Sequence, residues 1–371
     1  MSIVRRSTLL AAAIAAATIA PSCTRPESAT GPSAKAATAA NAATPAPPTP
    51  TVRFVGRFDT SEPNAPRFAW EASTIIARFK GTSITAKLKD EGKNVFQVIV
   101  DNEPKAVFKS EPGNETYVLA EGLPDAVHEV ALYKRTEAEM GEVSFHGFEV
   151  KGEMLPAQPG PERRIELIGD SITAGYGNEG PGAVCPYNPM EENEYTTYGA
   201  ILSRALGADH VTIAWSGKTI REMTNFYERT LPSRPESRWD FKAWTPHAVV
   251  MNIGTNNFAN ADPGEGSFVK LYTALFDRVR KAYPEAFILC LLGPMLSDAY
   301  PPGRNNLTTA RKYMRSAIAK IRAGGEKHFD FVELPEQKHS DGLGCGFHPS
   351  VKTHKLMADR LTPILKEKLS W

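Results

Sequence analysis

The chain has 371 residues, with 43 Lys and Arg against 42 Asp and Glu, a formal net charge of +1. That balance leaves no basic footprint, which excludes a nucleic-acid partner on charge grounds. The length, less the leader and linker at its start, suffices for two ordinary domains with a core each.

In chain order the first segment reads as an export signal. Arg5-Arg6 precede an apolar run from Leu9 to Ala20, the pattern of a secretory leader over residues 1–22, too short to span a bilayer. Cys23 stands where a bacterial lipoprotein carries its acyl anchor, so a membrane tether through a lipidated Cys23 is an expectation, although Ala20-Pro21-Ser22 departs from the usual box before it. Arg5-Arg6-Ser7 also has the outline of a twin-arginine signal without its aromatic. The expected location is periplasmic, outer-membrane or extracellular, in a bacterium. Residues 23–51 are rich in Ala, Pro and Thr and lack periodicity, which predicts a linker.

Residues 52–155 predict an all-β domain. The β-branched runs Thr74 to Phe79, Ser83 to Leu88 and Val95 to Val100 are separated by turn signals at Lys80-Gly81-Thr82 and Lys89 to Asn94. Thr116 to Ala120, His128 to Tyr133 and Val143 to Val150 continue the series, and regular strands of this spacing predict a jelly-roll sandwich. The charged run Lys134 to Glu142 reads as solvated loop or turn.

From residue 160 to 371 the pattern changes. Apolar runs at Ile165 to Ile168, His210 to Ala214, Ala248 to Ile253, Phe287 to Leu292 and Phe329 to Val332 alternate with helical stretches. The helices are Tyr198 to Leu206, Phe268 to Ala282, Thr308 to Ala323 and Val351 to Leu369. Alternation of this kind predicts a three-layer α/β/α domain with a parallel sheet covered on both faces.

Three strand ends carry candidate chemistry. Gly169-Asp170-Ser171 presents a hydroxyl at a strand's carboxyl end, where open α/β sheets hold their ligands. Serine in such a turn is commonly only a cap. Gly254-Thr255-Asn256-Asn257 brings an amide side chain to the same edge. Phe347-His348-Pro349, reached through the Gly-rich stretch Asp341 to Gly346, supplies an imidazole able to take a serine's proton. Gly175-Tyr176-Gly177-Asn178-Glu179-Gly180 fits the dinucleotide-binding pattern literally, but Pro181-Gly182 follow where the helix should continue, so a nucleotide is not expected and the glycines read as an open rim. No cofactor is implied.

Together these blocks resemble the SGNH (GDSL-type) hydrolases. Ser171 matches the nucleophile, Gly217 in Trp215-Ser216-Gly217-Lys218 the glycine, Asn256 the asparagine and His348 the base. The resemblance implies an oxyanion hole formed by the N–H groups of Ser171 and Gly217 and the Asn256 amide, and hydrolysis through an acyl-enzyme. The preceding β domain, Trp70, the Phe79-Lys80-Gly81-Thr82 segment and Asp341-Gly342-Leu343-Gly344-Cys345 before His348-Pro349-Ser350 are similar to the acetyl esterases of carbohydrate esterase family 2. That similarity implies acetylated polysaccharide or oligosaccharide as substrate, of the xylan or mannan type. A non-hydrolytic carbohydrate-binding protein and a cell-envelope glycan O-acetyltransferase are the alternatives; loss of activity in Ser171→Ala separates the first from an esterase, and transfer exceeding hydrolysis selects the second.

One position departs from the family pattern. Three residues before the histidine, where typical members carry an aspartate that orients the ring, this chain has Cys345. Asp341 is the nearest acid upstream; the alternative is a Ser–His dyad with a backbone carbonyl steadying the ring. Cys185 and Cys345 both lie in loops flanking the proposed site, which predicts a disulfide in an oxidising compartment, while Cys290 sits in an apolar run and reads as a buried hydrophobe. Metal binding competes for the thiols, but the chain has no Cys-x-x-Cys or His-x-x-x-His spacing. Among Trp215, Trp239 and Trp244, Trp215 is the expected sugar-stacking residue because it adjoins Ser216-Gly217.

Overall fold

The computed structural model describes residues 50–90 and 92–371; the expected leader, Cys23 and nearly all of the expected linker lie outside the described residues. The first half forms eight strands: β1 (Val52–Val55), β2 (Arg67–Phe68), β3 (Thr74–Asp90), β4 (Val95–Val100), β5 (Glu103–Lys109), β6 (Thr116–Ala120), β7 (Ala126–Lys134) and β8 (Val143–Leu155). They belong to one antiparallel sheet whose main path runs β2-β8-β3-β7-β4-β5, with β1 and β6 also on β3. Alternate β3 residues Ile75, Ala77 and Phe79 are buried in a core with Phe96, Val98, Val130 and Leu132, as a sheet with one covered face requires.

The expected turn at Lys80-Gly81-Thr82 is not a turn. β3 runs straight through it for 17 residues, because Gly81 lies opposite Gly152 of β8 and a side-chain carbon there would stand 2.2 Å from the Lys151 carbonyl. A glycine in a strand can mark a close backbone approach as well as a turn.

The second half runs β9 (Arg164–Gly169), α1 (Ser171–Ala174), α2 (Tyr198–Ala205), β10 (Asp209–Ala214), α3 (Ile220–Phe226), β11 (Ala248–Asn252), α4 (Glu265–Ala282), β12 (Phe287–Leu292), α5 (Asn306–Ala323), β13 (Phe329–Glu333) and α6 (Val351–Leu369). All strand pairs are parallel, in the order β10-β9-β11-β12-β13. Val249 and Met251 of β11 join a core with Phe268, Tyr272 and Phe276 of α4 and Met314 and Ile318 of α5. Ala248 and Val250 join the other, with Tyr198 and Leu202 of α2 and Leu361 and Leu365 of α6. Burial on both faces explains why these strands read as unbroken apolar runs.

This strand order has its reversal at β9, which lies between the next strand in sequence and the one after that. Ligands bind such sheets outside the carboxyl ends, at the reversal. Gly169, Ala214 and Asn252 are register partners there, so the three loops that follow leave the sheet side by side.

Candidate active site

Ser171 is the first residue of α1. The Asp170 carboxylate caps that turn by accepting the Ile172 N–H at 3.2 Å, and burial pushes the Asp170 carboxyl up to about 7 against the stabilising backbone N–H bonds. The Ser171 hydroxyl lies 2.8 Å from His348 Nε2, and His348 Nδ1 lies 2.9 Å from the carbonyl oxygen of Cys345. A carbonyl only accepts, so Nδ1 carries the ring proton and Nε2 is left to accept from the serine. Burial holds the imidazole below its ordinary pKa, hydrogen bonding to the backbone at Cys345 and Gly346 opposing it, which keeps the ring in the neutral form that can accept a proton.

Asp341 is not at the ring. Its carboxylate pairs with Lys352 at 2.7 Å and its carbonyl accepts the Ser350 hydroxyl; of the two alternatives left open, it is a backbone carbonyl, that of Cys345, that meets the ring. Asp341→Asn is therefore expected to leave kcat within about threefold and to cost no more than about 1 kcal/mol of stability, the value of a half-exposed ion pair. A fall near 10⁴ in kcat, read from steady-state kinetics beside a thermal melt, would restore it as the third member.

Gly217 has φ 76° and open space where a side chain would lie, a conformation that favours glycine. Its loop is tied to the one that carries Asn256. Asn256 Nδ2 donates to the Lys218 carbonyl at 3.1 Å, leaving its second N–H free, and Asn257 Oδ1 accepts the Ile220 N–H at 3.1 Å. Thr219 and Glu222 then close a capping box that starts α3, a Thr-x-x-Glu signal legible in the sequence although this helix is absent from the expected elements.

Cys185 and Cys345 are joined, with sulfurs 1.98 Å apart, and Cys290 is fully buried. The carboxylate of Glu191 sits beside the bridge. Both sulfurs are spent on the bond, which leaves that trio without thiolates for a metal. The glycines of the dinucleotide-like stretch do not hold a rim open. A side-chain carbon on Gly177 would meet Cys345 Cβ at 2.7 Å, and one on Gly180 would meet Cys345 Sγ at 2.2 Å, so they let the histidine loop pack close; Cys345 N–H also donates to the Gly177 carbonyl.

Trp215 is half-buried, its ring 4.8 Å from that of Phe226 and under the Lys218 ammonium. Trp239 lies against Arg57, and Trp244 packs on the core that holds α4. Three residues near the site were not among the expected ones. Phe347, directly before the base, is 52% exposed, and Tyr176 lies with its ring 4.6 Å from the imidazole and stacks on Tyr187. An aromatic adjoining the base was the available signal for Phe347.

Comparison with known proteins places the chain in a family. The family described as Carbohydrate esterase 2 N-terminal matches residues 54–159, and the GDSL-like Lipase/Acylhydrolase family matches residues 167–356. The chain is 40% identical, over 332 residues and 87% of its length, to the cellulase/esterase CelE of Acetivibrio thermocellus, of whose length it spans only 40%. It is 29% identical to an acetylxylan esterase / glucomannan deacetylase of Cellvibrio japonicus, over 83% of this chain and 87% of that one. A family two carbohydrate esterase from Clostridium thermocellum, solved in complex with cellohexaose, superposes with a TM-score of 0.82 at 40% identity, covering 86% of this chain and 99% of the other. The chain belongs to carbohydrate esterase family 2, a group of GDSL-type carboxylic ester hydrolases.

Proposed function

We propose that this chain is an exported serine esterase that removes O-acetyl groups from polysaccharides or oligosaccharides of the xylan or mannan type. The observation that carries the reading is the relay from Ser171 Oγ through the His348 ring to the Cys345 carbonyl, with contacts of 2.8 and 2.9 Å. His348 Nε2 takes the serine proton as Oγ attacks the acetyl carbonyl. The developing oxyanion is met by the N–H groups of Ser171 and Gly217 and by the free N–H of Asn256. Collapse expels the sugar oxygen, which leaves with the proton from His348. Water, deprotonated by the same ring, then releases acetate and restores the serine.

The names of the relatives support a carbohydrate ester as substrate. The exposed ring of Phe347 and the half-buried Trp215 are the faces we assign to sugar. We take residues 52–155 as a jelly-roll domain and 160–371 as a three-layer catalytic domain. The basic-then-apolar leader and the disulfide support export, and Cys23 is the proposed tether.

The test is acetate release from acetylated xylan, acetylated glucomannan and acetylated monosaccharides, for the wild-type chain and Ser171→Ala. Strong preference for one polymer, abolished in the variant, is expected. Equal rates on every ester, or activity that survives the substitution, would refute the reading.

A further inference from the structure

The first half of the run Lys134 to Glu142, expected as solvated loop or turn, is not solvated. Lys134, Arg135, Thr136 and Glu137 are all buried. An unpaired buried charge is costly, so what these groups touch matters. Glu137, in the connection from β7 to β8, accepts the N–H of Ser216 at 2.5 Å with its Oε2. Glu71, ahead of β3, accepts the N–H of Ala214 at 2.9 Å. Two carboxylates of the β half thus bind the parallel sheet's β10 strand and the loop after it.

Glu137 is itself held rigidly. Its own N–H donates to Glu192 Oε1 at 2.7 Å, and the Lys134 ammonium donates to the carbonyls of Thr136 and Glu137. Burial raises its carboxyl to about 6 against the Ser216 contacts and Lys134, so it is an anion at neutral pH and a strong acceptor.

The amide after Ser216 is that of Gly217, the proposed oxyanion donor. With φ 76° and nothing within 4 Å of where a side-chain carbon would stand, Gly217 depends on its flanks for its direction. Those flanks are the Ser216 N–H held by Glu137, the Lys218 N–H bonded to the Trp215 carbonyl at 3.3 Å, and the Lys218 carbonyl bonded to Asn256. We propose that Glu137 is a positioning residue for catalysis: by anchoring the Ser216 amide it aims the Gly217 N–H at the oxyanion, so the β half supplies part of the active site. The proposal rests on the esterase reading above.

The experiment compares wild type, Glu137→Gln, Glu137→Asp, Glu71→Gln and Ser171→Ala on a soluble acetyl ester, with kcat, KM and a thermal melt for each. An oxyanion contact acts in the transition state and not in substrate binding, so Glu137→Gln is expected to lower kcat by roughly 10- to 100-fold with KM changed less than about threefold. Glu71→Gln loosens the strand end and not the glycine loop; it is expected to lower the melting temperature with kcat within about threefold. An unchanged kcat in Glu137→Gln, a rise in KM alone, or an equal kcat loss in Glu71→Gln would overturn the proposal. If Glu137→Gln does not fold, Glu137→Asp, which keeps the charge but retracts it, decides on the same criteria. Turnover surviving in Ser171→Ala would sink the esterase reading itself, whereas an inactive Ser171→Ala beside a fully active Glu137→Gln would remove only the positioning role.

Discussion

His348→Ala is expected to lower kcat for acetyl-ester hydrolysis by about 10⁴ to 10⁶, with a remnant from the oxyanion donors and from binding. Among the described residues the ring is the only group hydrogen-bonded to the Ser171 hydroxyl, so it is the one placed to take its proton. Burst and steady-state kinetics on a chromogenic acetate check this, and a loss under tenfold would mean that another base serves the serine. The pH profile adds a second reading. Only the neutral ring is a base, and burial depresses its pKa, so the acid limb of kcat/KM is expected below the ordinary histidine value of about 6.5. Stability follows the same sign. Where a folded pKa is depressed, the unfolded chain binds more protons, so the contribution is full above about 6.5 and is lost as pH falls through the folded value. His354, which accepts the Tyr198 N–H on Nδ1 and is pushed down to about 3 by burial and then by His348, extends that window of acid sensitivity.

Cutting the Cys185–Cys345 bridge, by Cys185→Ser or by reduction, is expected to lower stability by about 2–4 kcal/mol and kcat by roughly tenfold. The first effect follows from releasing a closure across 160 residues of sequence. The second is local. Cys345 carries both the bridge and the carbonyl that orients His348, and other ties of this loop include the Cys345 N–H to the Gly177 carbonyl, the Gly346 N–H to the Ala183 carbonyl and Gln337 Nε2 to the Phe347 carbonyl. A loosened carbonyl lets the ring turn and its tautomers mix, which a serine base tolerates poorly. Melts and kcat measured with and without reductant, on wild type and Cys185→Ser, separate the two effects. A kcat indifferent to both treatments would show that the backbone bonds alone hold the loop.

The parallel sheet was legible because its strands are buried on both faces: Phe287 to Leu292 and Val351 to Leu369 are found with the bounds their apolar pattern predicted. Strands with a wet face were harder. β5 is exposed along nearly its whole length, and Glu103 to Lys109 offers only the three apolar residues Ala106-Val107-Phe108 among charges. Composition misled at Gly81, where a turn residue serves a close crossing of strands. It misled again at Lys134 to Glu142, where charge suggested water although Lys134 to Ala138 are buried, with Arg135 and Glu137 bonded to the carboxylates of Glu179 and Glu192 in another part of the fold. Ser171 and His348, though 177 positions apart, were legible because the motif types are specific. What orients His348 was not, because a main-chain oxygen has no letter in a sequence.

That last feature changes what inheritance can damage. An orienting aspartate is lost by one codon change; replacing Cys345 costs the bridge but leaves the orienting carbonyl itself in the chain. The vulnerability moves to residues that shape the loop's path, such as Gly344, where a side-chain carbon would come within 2.3 Å of the Gly177 carbonyl. Ancestral drift that spares every chemically reactive side chain can thus still silence this enzyme by thickening a neighbouring glycine.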